Sequence, residues 1–182
     1  MDLISDTAIM LKVKAGDIDK LGLLYERYHK MLFGFFWKMS GSVDDSEDLV
    51  HNVFYLILKN RRQYRGKGKF LSWMFQIAHN LWADHYKKKK KTEMRDDMER
   101  WELKVDLGAD EQIEKEEQLR QLRTALHALQ QDKKEVLVLS RIQGLKYREI
   151  AEITKSTEGA VKVKIFRAMA DLREEYARID TR

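Results

Sequence analysis

The sequence has 182 residues, with 35 lysines and arginines against 30 aspartates and glutamates, nine glycines, and neither proline nor cysteine. That length suits one or two small domains and excludes a large catalytic barrel, while the missing cysteines exclude disulfides, thiolate nucleophiles and cysteine-held zinc or iron–sulfur centres. The net charge of +5 is unevenly spread, since residues 59–91 carry 11 basic side chains and 1 acidic, residues 92–117 carry 4 and 11, and residues 118–182 carry 14 and 9.

A short helix over Thr7 to Val13 is followed by an amphipathic one over Ile18 to Met39. The second places Leu21, Leu24, Tyr28, Leu32, Phe35 and Met39 at spacings of three and four, with Asp17 as its N-cap. After the breaker GSVDDS, an apolar stripe through Leu49, Val50, Val53, Phe54 and Ile57 predicts a further helix that ends near Asn60, with Ser46 or Asp45 as cap. Residues 60–69, NRRQYRGKGK, have two glycines, five basic residues and no apolar period, and read as a cationic loop. A helix then begins near Phe70 and runs through Trp73, Met74, Ile77 and Leu81 into the five lysines Lys87 to Lys91. Residues 92–111 carry no sustained stripe and read as an acidic linker. Beyond it, Leu119, Leu122 and Leu126 mark one helix. A shorter one starts at Asp132 and is stopped by Gly144, and Tyr147 to Thr154 forms a third; the last carries Val161, Ile165, Met169 and Leu172 on one face. The fold class expected is all-α, two small helical domains joined by a charged linker, with basic blocks on both sides of an acidic one as in paired polyanion-binding modules.

Two constellations point to nucleic acid. The segment YREIAEITKSTEGAVKVKIFRAMADL has the layout of a helix-turn-helix, in which small Ala151 permits a steep crossing, Thr157 caps the second helix, and Lys162, Lys164 and Arg167 lie off its apolar face toward a major groove. In the first basic block, cations alternate with aromatics (Arg61, Arg62, Tyr64, Arg65, Lys67, Lys69, Phe70, Trp73), a pattern that grips single strands through phosphates and unstacked bases. Within it Tyr64 is the better candidate for exposure, whereas a core reading is strong for Phe70 and for Trp73, which lies four residues from Ile77. Lys87 to Lys91 reads either as a solvated helix end or as a phosphate clamp.

The segments DSEDLVHNVFYLIL at 45–58 and FLSWMFQIAHNLWADHYKK at 70–88, together with the terminal helix-turn-helix, resemble the second and fourth regions of bacterial extracytoplasmic-function sigma factors. The resemblance spans nearly the whole chain in order. It implies that residues 1–91 form the domain that docks on the clamp of core RNA polymerase and opens the minus-ten promoter element. Residues 92–111 would be the linker, and residues 112–182 would bind the minus-thirty-five duplex. By position, it implies polymerase contacts from Asp45, Glu47, Asp48, Leu49 and Asn52, with Phe54 in the core. For the minus-ten strand it implies the loop from Asn60 to Lys69, with Trp73, Asn80, Lys87 and Lys88. Thr157, Lys162, Lys164 and Arg167 would serve the minus-thirty-five duplex, and Asp84 would have a supporting role. His51 and Asn52 stand where the family commonly has Gln and an acidic residue. Lys155 and Ser156 stand where its turn usually has Gly and an apolar residue.

The partners this implies are core RNA polymerase, promoter DNA and an anti-sigma factor, with no small-molecule substrate, cofactor or metal. Enzymatic readings find little footing, because the five histidines at 29, 51, 79, 85 and 127 include no HExxH pair and no GxSxG or Walker pattern occurs. A basic helical adaptor for RNA or anionic membranes is the other reading the charge permits. The first 15 residues lack a basic start and no stretch approaches a membrane span, so the expected place is the cytoplasm, without membrane insertion.

Overall fold

The structure, a computed structural model, describes residues 5–93 and 110–180. Most of the acidic linker expected at 92–111 lies outside the described residues. Those described form eight α-helices and no strand: α1 (Asp6–Ala15), α2 (Leu21–Ser40), α3 (Val43–Lys59), α4 (Phe70–Glu93), α5 (Asp110–Ala128), α6 (Gln131–Leu137), α7 (Tyr147–Ile153) and α8 (Glu158–Asp180).

Helix ends follow local chemistry, in two cases at other residues than the sequence pattern indicates. Asp17 makes no side-chain cap; a 3-10 turn, Ile18–Lys20, precedes α2 instead. At the next junction Gly41 enters the left-handed region (φ 74°) and closes α2, and Ser42 then caps α3 by accepting a hydrogen bond from the Asp45 amide at 3.2 Å. Ser46, one of the two expected caps, is buried one turn into α3, where its hydroxyl donates to the Ser42 carbonyl.

The N-terminal half is a bundle in which α2 packs on α3 and α3 on α4, with α1 across α2. Its centre is aromatic: Phe35 meets Phe36 at 5.1 Å and Phe75 at 5.5 Å between ring centroids, both edge-on, and all three are fully buried. In the C-terminal half, α5 and α6 lie against α8, and α6 continues through a π-turn, Val138–Ile142, before Gly144 (φ 69°) reverses the chain. Helices α7 and α8 cross as the expected helix-turn-helix. Thr157 caps α8 by accepting from the Ala160 amide at 3.1 Å, and Lys155 takes the left-handed position in the turn (φ 51°), a conformation that costs a residue with a Cβ.

The two halves touch, which no sequence pattern indicates. Lys134 of α6, 1% exposed, donates from Nζ to the Met39 carbonyl at 3.2 Å, so one half caps the C-terminus of α2 in the other. Burial pushes the Lys134 ammonium down to about 8. Nearby, His79 Nδ1 lies 2.7 Å from Glu135 Oε1, and that hydrogen bond raises the His79 pKa above its ordinary value. Lys69 pairs with Glu149 at 2.8 Å, and the Arg123 guanidinium sits over the Trp37 ring at 5.0 Å. The buried side chains of both halves join in one continuous cluster.

Candidate nucleic-acid and protein interfaces

Three surfaces collect most of the residues that the sequence singles out. The first is the connection between α3 and α4. A 3-10 turn, Arg61–Gln63, leaves α3, Tyr64 is extended, and Gly66 and Gly68 take positive φ (67° and 78°), which turns the chain back into α4. Arg62, Arg65, Lys67 and Lys69 are exposed, and Arg61 is half-buried with its guanidinium donating to the Leu58 carbonyl at 2.9 Å. Asn80, Lys87 and Lys88 are exposed along α4, which extends the cationic surface by several turns.

Tyr64 corrects the sequence reading. It is 2% exposed, its ring packed against Trp73 at 5.0 Å and Phe70 at 6.2 Å, so it anchors the loop and offers no free ring face to a base. Trp73 is half-buried against the same aromatics and the core.

The second surface is the outer face of α8. Lys162 and Arg167 are exposed, while Lys164 is half-buried and paired with Asp132 at 3.1 Å. Two further residues share this face: Val163 is 50% exposed and Phe166 77%, the most exposed large hydrophobic side chain among the described residues. Sequence reasoning passes over both, although a signal for them exists. Val161, Ile165 and Ala168 define the buried stripe, so an aromatic directly after Ile165 is rotated out of it. A cation-flanked aromatic on the exposed face of such a helix is suited to a groove that presents both phosphates and thymine methyls.

The third surface is the N-terminal part of α3. Glu47, Asp48, His51 and Asn52 are exposed in a row that runs over the first turns. Asp45 is held within the bundle by Lys89 at 3.0 Å. Leu49, expected as a contact, is 3% exposed; its stripe with Val53 and Ile57 faces the core, so it positions the helix and is closed to a partner in this arrangement. Beside this row a groove between α2 and α3 is lined by Tyr25, His29, Phe33 and His51, with the Tyr25 and His29 rings stacked at 4.9 Å.

Among the described residues no cluster of three His, Cys, Asp or Glu is arranged to hold a metal, and no helix is long and apolar enough to cross a membrane.

Comparison with known proteins places both halves. Residues 24–92 match the family model described as Sigma-70 region 2, and residues 119–172 match that described as Sigma-70, region 4. The chain is 28% identical over 175 residues to the ECF RNA polymerase sigma-E factor of Haemophilus influenzae, covering 91% of this chain and 92% of that one. It is 30% identical over 135 residues to the ECF RNA polymerase sigma factor EcfG of Rhodopseudomonas palustris, covering 74% and 72%. In fold it is similar to the sigma factor RpoE solved with the anti-sigma factor NepR from Bartonella quintana, with a TM-score of 0.69 and 21% identity over 85% of this chain and 94% of that one.

Proposed function

The chain belongs to the extracytoplasmic-function group of sigma-70 RNA polymerase sigma factors, transcription initiation factors, and from that premise we propose how its surfaces divide the work. The exposed acidic row Glu47 and Asp48, with Asn52, docks on the clamp of core polymerase. The loop from Arg61 to Lys69, with Asn80, Lys87 and Lys88, takes the non-template strand of the minus-ten element. The α8 face of Lys162, Val163, Phe166 and Arg167 enters the major groove of the minus-thirty-five element. Residues 1–91 and 112–182 act as the two domains, with 92–111 as linker. The linker converts the second DNA contact into an intramolecular event and so raises the affinity of the pair over either alone.

The observation that carries this reading is the separation of charge on the N-terminal half: four exposed cations on one glycine-turned loop, and two exposed carboxylates in sequence on α3. A basic adaptor for RNA or membranes has no use for the carboxylate row. No catalytic step or cofactor enters the mechanism, and an anti-sigma factor, the kind of protein with which the Bartonella quintana sigma factor was solved, is the natural inhibitor. Run-off transcription by core polymerase with and without the chain tests the whole proposal; no chain-dependent transcript from any promoter sampled from a genomic library sinks it.

Within α8 the two kinds of contact separate by salt. Lys162→Ala should weaken binding on every duplex and lower the salt slope by about one unit, because one phosphate fewer is neutralised. Phe166→Ala should leave the slope unchanged and cost about 1–3 kcal/mol on the cognate duplex alone, because burying an aromatic against base edges carries no counterion. Salt titrations of each variant on cognate and scrambled duplexes measure both.

A further inference from the structure

The strand-capture loop is not self-supporting. Its only buried member, Tyr64, is fastened at both ends to α1, a helix that precedes the segment matched to region 2. The Lys14 ammonium donates to the Tyr64 carbonyl at 2.5 Å, and the Tyr64 hydroxyl donates to Thr7 Oγ1 at 3.3 Å. Thr7 and Lys14 are seven residues apart, so they share one face of α1 about 10 Å apart along its axis, a span that the tyrosine bridges from backbone to phenol. Between them Leu11 lies against Gly66, where a Cβ would sit 3.5 Å from Leu11 Cδ2.

The helix that supplies these groups is itself fixed. Ile9, Met10 and Val13 are buried, Ser5 caps its start, and Asp6 takes the Arg27 guanidinium at 2.6 Å and the Tyr28 hydroxyl. The loop therefore rests on a rigid base while Arg62, Arg65, Lys67 and Lys69 stay exposed above it. A glycine-rich loop without such a base would lose conformational freedom when it bound a strand, and that cost would come out of the affinity.

We propose that α1 is the positioning element of the strand-capture loop, with Lys14 and Thr7 as the residues that hold Tyr64 and so set the geometry in which the loop cations meet the minus-ten strand. The inference rests on the loop assignment given above and adds to it the residues that preorganise the loop. Lys14 acts through Tyr64 and need not touch the DNA.

The test uses the full chain with core polymerase, on a promoter from which the parent chain directs run-off transcription; a parent chain without activity would refute the sigma assignment itself. Opening is read as permanganate reactivity of thymines near the start site, beside polymerase affinity and the melting temperature. Lys14→Met should lower opening about tenfold, the scale of a charge-assisted hydrogen bond, with polymerase affinity unchanged, and Lys14→Arg should restore most of it. Thr7→Val and Tyr64→Phe remove the same bond from either end, so each should lower opening about threefold and the double variant no further. That pair carries the test if Lys14→Met melts early. Unchanged opening in Lys14→Met and Thr7→Val, or a fall in polymerase affinity parallel to the fall in opening, overturns the proposal.

Discussion

Replacing Glu47 and Asp48 together by lysine is expected to lower the affinity of the chain for core polymerase about a hundredfold or more, since like charges brought together at a complementary interface cost several kcal/mol. Both side chains are exposed and outside the apolar stripe of α3, so the reversal disturbs no packing. Some helix stability will go, because cations near a helix N-terminus oppose its dipole by about 0.3–1 kcal/mol each. A competition assay against a labelled sigma factor measures the affinity, and a melting curve separates it from the loss of helix. Asp45→Ala should do far less, because Asp45 is already engaged by Lys89. Equal polymerase affinity in the doubly reversed and parent chains would remove α3 from the clamp.

The largest effect on stability is expected at Phe35→Ala. The ring is fully buried and meets Phe36 and Phe75 edge-on, so the change removes its transfer free energy, leaves a cavity and ends two aromatic contacts; about 3–5 kcal/mol is the cost in comparable cores. Against a total that for domains of this kind is about 5–15 kcal/mol, the variant should be partly unfolded at growth temperature. Phe35→Leu should recover most of the loss. Urea unfolding followed by circular dichroism decides, and a midpoint within error of the parent would show that the cluster is not the centre of the fold.

The helices were legible because their apolar residues recur at three and four, and the stripe that predicts α3 is the one the core uses. Where two readings compete for one residue, burial wins. Leu49 belongs to the stripe and also matches a contact position, and it is in the core. The cap of α3 is not legible because Asp45 and Ser46 look like a capping cluster, whereas the left-handed Gly41 ends α2 so abruptly that Ser42 is already in cap geometry. Tyr64 carries no periodic signal, and its partners Thr7 and Lys14 lie 57 and 50 residues away in sequence, beyond any local pattern. Lys134 looks like one of several charges on an exposed helix turn, and only the packing of α2 against α6 buries it.

The contact between the halves also binds protons unevenly. His79 has its pKa raised by Glu135, so its stabilisation of the junction is full below the ordinary value of 6.5 and lost as the pH climbs through the raised one. Lys134 works the other way. Held at about 8 by burial, against 10.5 in water, it is charged and penalised below about pH 8, and the penalty lifts between there and 10.5. Parting the halves therefore releases a proton from His79 over one range and takes one up at Lys134 over another. Through His79 the junction loses stabilisation as the pH rises past 6.5, and through Lys134 it regains some above about pH 8. In energy transfer between dyes on the two halves, followed against pH, His79→Gln should remove the loss that begins as the pH rises past 6.5, and Lys134→Met the recovery above about pH 8. Any step that parts the two halves is thus coupled to pH through these two side chains.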